Sequence, residues 1–260
     1  MKCRLCVLFL LALPASATIS YVRSAANWTG TSSTSCDVSL GTTNGTDLLV
    51  VWAEWQTSGP NTVAITTTQD NQTPRNTLYA AVGPTVQSAS NTAGQIFYVK
   101  KILSGGDGVN LNFSGAVNSS ACVIVEYSGA DIYNPLDSVS AGYSTSGNPT
   151  GLLDGGTVAP ANANLMVFAG GIADTRNTPT VAGSGYTSQQ ASSGRWGTGI
   201  VENSSTAISG NSTLQRATAC IGSGICPPGT TTGNWLMQMA VFRDGGWPPI
   251  PQGKSKSHVK

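Results

Sequence analysis

Residues 121–137 read ACVIVEYSGADIYNPLD. The β-branched run Val123-Ile124-Val125, flanked by Cys122 and Tyr127, has strand composition. Gly129 then breaks the run. Asp131 and Asn134 are residues that cap their own backbone in turns, and Pro135 forces an extended residue before it. The phrase therefore predicts a strand that ends in a sharp corner. It also carries Glu126, one of three glutamates in the chain. Two readings follow: the rim of an active site, or the corner of a β-sandwich.

The same pattern recurs outward from this stretch. Short β-branched or aromatic runs alternate with clusters of Gly, Ser, Thr and Asn, and no long 3.6-residue period is present. Strands are expected at 19–23, 48–56, 63–68, 77–82, 95–102, 109–113 and 121–127. A second set is expected at 165–169, 186–190, 199–203, 212–217 and 235–242. The two sets look alike. Asp47-Leu48-Leu49-Val50-Val51 parallels Asn164-Leu165-Met166-Val167-Phe168, and 121–127 parallels 235–242 as a closing strand. The expected fold is all-β: a two-sheet antiparallel β-sandwich of jelly-roll type, built from two similar Greek-key halves. Residues 144–162 are expected to cross between the halves, and 18–244 to form one domain.

The ends read differently. Residues 1–17, MKCRLCVLFLLALPASA, have a basic start at Lys2 and Arg4, a short apolar run, and Ala15-Ser16-Ala17 as a small-x-small cleavage site. That is a secretory signal peptide, so a secreted, extracellular chain is expected. No later segment is apolar enough for a membrane span. Residues 245–260, rich in Pro, Gly and Lys, are expected to be a flexible tail. The chain has 13 Lys and Arg against 12 Asp and Glu. Removing the leader and the tail leaves the body mildly acidic, without the basic face a nucleic acid needs. Four cysteines follow the leader: Cys36, Cys122, Cys220 and Cys226. Export permits disulfides. Cys220 with Cys226 would close a short Gly-rich loop and leave Cys36 for Cys122, one of three possible pairings.

The phrases DLLVVWAEW, QIFYVKKI, VIVEYSGADIYNPLDSVSA and NWLMQMAVF resemble a family of secreted bacterial β-sandwich domains found beside immunoglobulin-like repeats in surface proteins. The likeness spans roughly 19–244. It implies a fold and an extracellular location, and no activity.

Candidate chemistry is sparse. The only histidine is His258, in the tail, so nucleophile–imidazole catalysis has no base in the body. Strand alternation puts Glu54 and Glu126 on the less apolar faces of their strands. If those faces coincide, the pair is the minimum for glycoside hydrolysis. Otherwise each is a solvated strand residue. For sugar binding, a flat ring must pack on the apolar face of a sugar while polar groups reach its hydroxyls. Trp196 beside Arg195 fits best, followed by Trp28, Trp52, Tyr133 and Tyr186, each with the alternative of a plug over a sheet end. Asp131 and Asp137, or Asp70 and Asn71, offer oxygens for a structural calcium ion, although neither stretch is an EF-hand loop. The reading that accounts for most of this is a secreted, non-enzymatic module that binds carbohydrate or another surface component. A glycan-cleaving enzyme and a purely structural adhesin module are the alternatives.

Overall fold

The computed structural model describes residues 18–70, 79–88, 91–144, 151–162, 164–175, 180–193, 198–204, 208, 214–222 and 233–246. The leader, the tail from 247, Asn71, Arg195, Trp196 and Cys226 lie outside the described residues. Those described form sixteen strands and no helix. The first half comprises β1 (Ser20–Thr29), β2 (Ser33–Thr43), β3 (Leu48–Gln56), β4 (Ile65–Gln69), β5 (Ala80–Gln87), β6 (Thr92–Val99), β7 (Gly105–Val117) and β8 (Ser119–Ser128). The second comprises β9 (Leu136–Tyr143), β10 (Leu152–Asp154), β11 (Leu165–Ala173), β12 (Thr180–Ala182), β13 (Tyr186–Ser193), β14 (Thr198–Ser204), β15 (Thr218–Ile221) and β16 (Trp235–Arg243).

The expected all-β antiparallel sandwich is what the chain forms, and its internal repeat is explicit. The first half makes a large sheet, β1-β8-β3-β6-β5, and a small one, β2-β7-β4. The second makes β9-β16-β11-β14-β13 and β10-β15-β12. Adding eight to each strand number converts one half into the other. Each half is thus a jelly-roll sandwich with its own pair of sheets, rather than one half of a shared pair. The large sheets pack on each other through Trp52, Ile96, Val125, Tyr127, Phe168 and Phe242. Each small sheet closes an outer core, one around Val51, Trp55 and Leu111 and the other around Leu153, Val167 and Met239. Four layers enclose three cores. Strands β3 and β11 sit mid-sheet between two cores, so they are apolar on both faces.

The corner at 129–135 is the joint between these halves, earlier in the chain than the crossover expected at 144–162. Asp131 Oδ1 accepts hydrogen bonds from the N–H groups of Tyr133 (2.7 Å) and Asn134 (3.1 Å), the self-capping turn its sequence suggested. Its other oxygen lies 3.2 Å from Arg243 Nε on the closing strand. The repeat also carries a one-residue slip. Thr46 and Asn164, both at positive φ (77° and 55°), start equivalent strands, so Asp47 matches Leu165. Aligning Asp47 with Asn164 by sequence reverses the faces, because side chains alternate with period two.

A polar clamp joins the halves. Strand β5 bulges between Val82 and Val86, where Gly83 takes φ +67° with the Gln238 amide close against it. The bulge withdraws ladder partners. Gln238, reaching over from β16, replaces them: it accepts from Ile96 N–H at 2.6 Å and donates to Val82 O (2.7 Å) and Pro84 O (3.1 Å). Gln238→Leu leaves these buried groups without partners, and the expected loss is about 2–4 kcal/mol, read from chemical denaturation. A loss under about 0.5 kcal/mol would show that water replaces the amide.

Candidate functional site

Cross-strand register decides the fate of the two glutamates. Leu49 pairs with Glu126 and Glu54 pairs with Ala121. Directly paired residues share a face, so Glu126 points with Leu49 into the first outer core while Glu54 points with Trp52 into the middle one. The carboxyls lie on opposite faces of one sheet. The shared catalytic surface is absent, and so is the solvated alternative: Glu54 is 4% exposed and Glu126 0%.

Glu126 is structural. Asn44 N–H donates to its Oε1 at 2.9 Å. Arg23 Nε lies 2.7 Å from Oε2, close enough for an ion pair but off the line of a hydrogen bond. Asp47 sits beside it. Burial and then the Glu126 carboxyl push Asp47 up to about 6, against the pull of Arg23.

Glu54 belongs to a different cluster. One face of the first large sheet carries a row across four strands: Trp28 on β1, Ala121 on β8, Glu54 on β3 and Gly94 on β6. Ala121 is small, so Trp28 and Glu54 meet above it. Gly199 of β14 faces them from the second half; a Cβ there would lie 2.8 Å from Glu54 Oε1 and 2.8 Å from the Trp28 ring. Thr180 holds the Gly199 carbonyl with its hydroxyl at 3.0 Å. Trp52 Nε1–H donates to Glu54 Oε2 at 2.7 Å. Burial raises Glu54 to about 8, only partly offset by that hydrogen bond. At neutral pH the group is a neutral carboxylic acid, one donor and one acceptor, beside the half-buried indole of Trp28.

The structure therefore gathers Trp28, Trp52 and Glu54, which sequence reasoning weighed separately. Trp52 is a correction: it is fully buried and offers no face to a ligand, because the second large sheet covers the side of β3 that looked less apolar. Tyr133 is 61% exposed on the corner, where its carbonyl accepts from Lys100. Tyr186 is half-buried and donates to Arg216 O at 3.2 Å; burial and the Glu202 carboxyl raise its phenol. Asp137 accepts from Ala161 N–H (3.1 Å) and from the Asn162 amide, so Asp131 caps the corner and Asp137 anchors a loop. Among the described residues no group of three or more His, Cys, Asp or Glu is placed to hold a metal.

Glu202 was missed. It lies on β14, 0% exposed, with Gly183 N–H on Oε2 at 3.2 Å and no hydrogen-bond partner on Oε1 among the described residues. Burial lifts it to about 8, with the Gly183 bond pulling the other way. Its short strand alternates Ile200, Glu202 and Ser204, which gives no sign of the small sheet above. The Cys36–Cys122 disulfide is present and fits an oxidising compartment. Cys220 is also disulfide-bonded; Cys226, its expected partner, lies outside the described residues. No described helix is long and apolar enough to cross a membrane. Neither family models nor curated proteins nor solved structures match this chain.

Proposed function

We propose that the protein is an exported, non-enzymatic module that binds carbohydrate or another component of an extracellular surface, with Trp28 as its contact. The observation that carries this reading is the half-buried Trp28 indole at the seam between the halves, backed by the buried Glu54 carboxyl and by Gly199. A sugar needs a flat apolar face to stack on, and the exposed part of the Trp28 ring supplies one. Thr198 precedes Gly199, and Ser193 pairs with Thr198 across the β13–β14 hairpin. The leader-like pattern at 1–17, the disulfide and the resemblance to secreted bacterial sandwich domains support export. Paired-glutamate hydrolysis is not part of the proposal, since Glu54 and Glu126 face apart.

The test is a broad glycan array probed with the mature chain and its Trp28→Ala variant. The expected result is a specific hit weakened at least tenfold by the substitution, with the near-UV circular dichroism of the fold retained. A blank array from folded protein, or a hit indifferent to Trp28 and to Trp196→Ala, moves the assignment to a structural adhesin module.

A further inference from the structure

Seven of the twelve acidic residues are buried: Asp47, Glu54, Asp70, Asp107, Glu126, Glu202 and Asp244. In a chain only 10% charged, that places most of the negative charge inside. Buried carboxyls are ordinarily matched by cations or several donors. Here two are not. Among the described residues, the groups facing Glu54 are Trp28, Trp52, Ala121, Gly94 and Gly199, none charged and none titratable in the physiological range. Glu202 faces Gly183 N–H, its paired neighbours Ala169 and Ser188, and the Tyr186 phenol. In the first outer core Asp47 and Glu126 face each other and share the single guanidinium of Arg23. Asp107 in the same core faces Asp70, the Thr43 hydroxyl and Glu126.

We propose that the fold is built to work in an acidic medium: each of its three cores buries at least one carboxyl that enters as a neutral acid, Glu54 in the middle, Glu202 in one outer core and Asp47 and Asp107 in the other, so stability is greatest in acid and falls toward neutral and alkaline pH. Burying a neutral carboxyl needs far less compensation than burying a carboxylate. When the medium pulls the proton away, folding must instead bury a charge beside glycine and tryptophan.

The direction follows from proton linkage. Glu54 and Glu202 ionise near 4.5 when unfolded and near 8 when folded. Between those values the folded state holds more protons, so stability is full below about 4.5 and is lost as pH climbs through 8. Asp47 and Asp107, raised from 3.8 to about 6, act in the same sense over a lower window. Asp154 opposes them. Burial alone would raise it, but Arg216 and Gly156 N–H bring it below 3.8, so its contribution is lost only in stronger acid.

The experiment is urea unfolding of the mature chain from pH 4.5 to 8.5, alongside Glu54→Gln, Glu202→Gln and the double variant. Each carboxyl contributes about one decade in the unfolding constant per pH unit. The wild-type constant at fixed urea is expected to rise about a hundredfold per unit between pH 6.5 and 7.5, above the window of Asp47 and Asp107. Each glutamine, isosteric and permanently neutral, should remove about one decade of that slope, and the double variant should be nearly flat over that range. A wild-type stability maximum at or above pH 7, or glutamine variants that keep the wild-type slope, overturns the proposal. If a variant does not fold, infrared spectroscopy of the wild type decides. A protonated-carboxyl band persisting at pH 6.5 upholds the proposal, and its absence there overturns it.

Discussion

Trp52→Ala is expected to remove about 4–6 kcal/mol of stability, enough to leave a domain of ordinary stability close to unfolding. The argument begins with volume. Trp52 is fully buried at the centre of the middle core, and the space it fills was made by glycine. A Cβ on Gly170 of β11, the pseudo-equivalent position in the second half, would overlap the indole, and so would one on Gly94 of β6. One sheet supplies a large side chain where its neighbours supply none. Truncation therefore leaves a cavity bounded by backbone, which cannot relax inward as side chains would. It also removes the indole N–H that donates to Glu54 Oε2. Denaturant titration at pH 5, where Glu54 is neutral, reports the cavity; repeating it at pH 8 adds the stranded carboxylate, so the loss should grow with pH. The complementary change, Gly170→Val, should cost about 1–3 kcal/mol by overpacking in the wild type and little or nothing in the Trp52→Ala background. Additive losses from the two substitutions would mean that indole and glycine do not share the space described.

The sequence displayed the elements better than their partnerships. Alternation along Leu48–Gln56 and along 121–127 was legible because each strand carries its own period-two pattern. What was not legible was that Leu49 pairs with Glu126. Register between strands some 70 residues apart is set by tertiary packing, and a shift of one residue sends every side chain to the other face. That is why two glutamates on similar-looking faces point apart. The same parity hid the slip between Asp47 and Asn164. β2, STSCDVSLGTT, looked like a turn cluster because Ser, Thr and Gly dominate it, although Cys36 and Val38 alternate inward and did carry the signal. β9 and β10 were passed over for the same reason, and with them the fact that each half closes its own sandwich. The burial of Trp52 depended on a second large sheet that no local pattern announces.

Replacing Cys36 and Cys122 together with alanine is expected to cost about 4–5 kcal/mol. The bond joins β2 of the small sheet to β8 of the large one across the first outer core, with both cysteines buried. Its sequence separation is 86 residues, so it encloses five whole strands, β3 to β7. In the chain-entropy account a loop of that size sacrifices about 4–5 kcal/mol of unfolded-state freedom, which for a domain of this length corresponds to about 10–20 °C in melting temperature. The second half has no described counterpart linking β10 to β16, where Leu153, Met237 and Met239 meet through apolar contact. Yet the halves share the middle core and the Gln238 clamp, so weakening one exposes a large apolar face of the other. The double variant should therefore melt in a single transition at lower temperature, and wild-type protein should shift the same way in reductant. Two separated transitions, with the later one at the wild-type temperature, would show that the second jelly roll stands without the first and that the middle core contributes little to either.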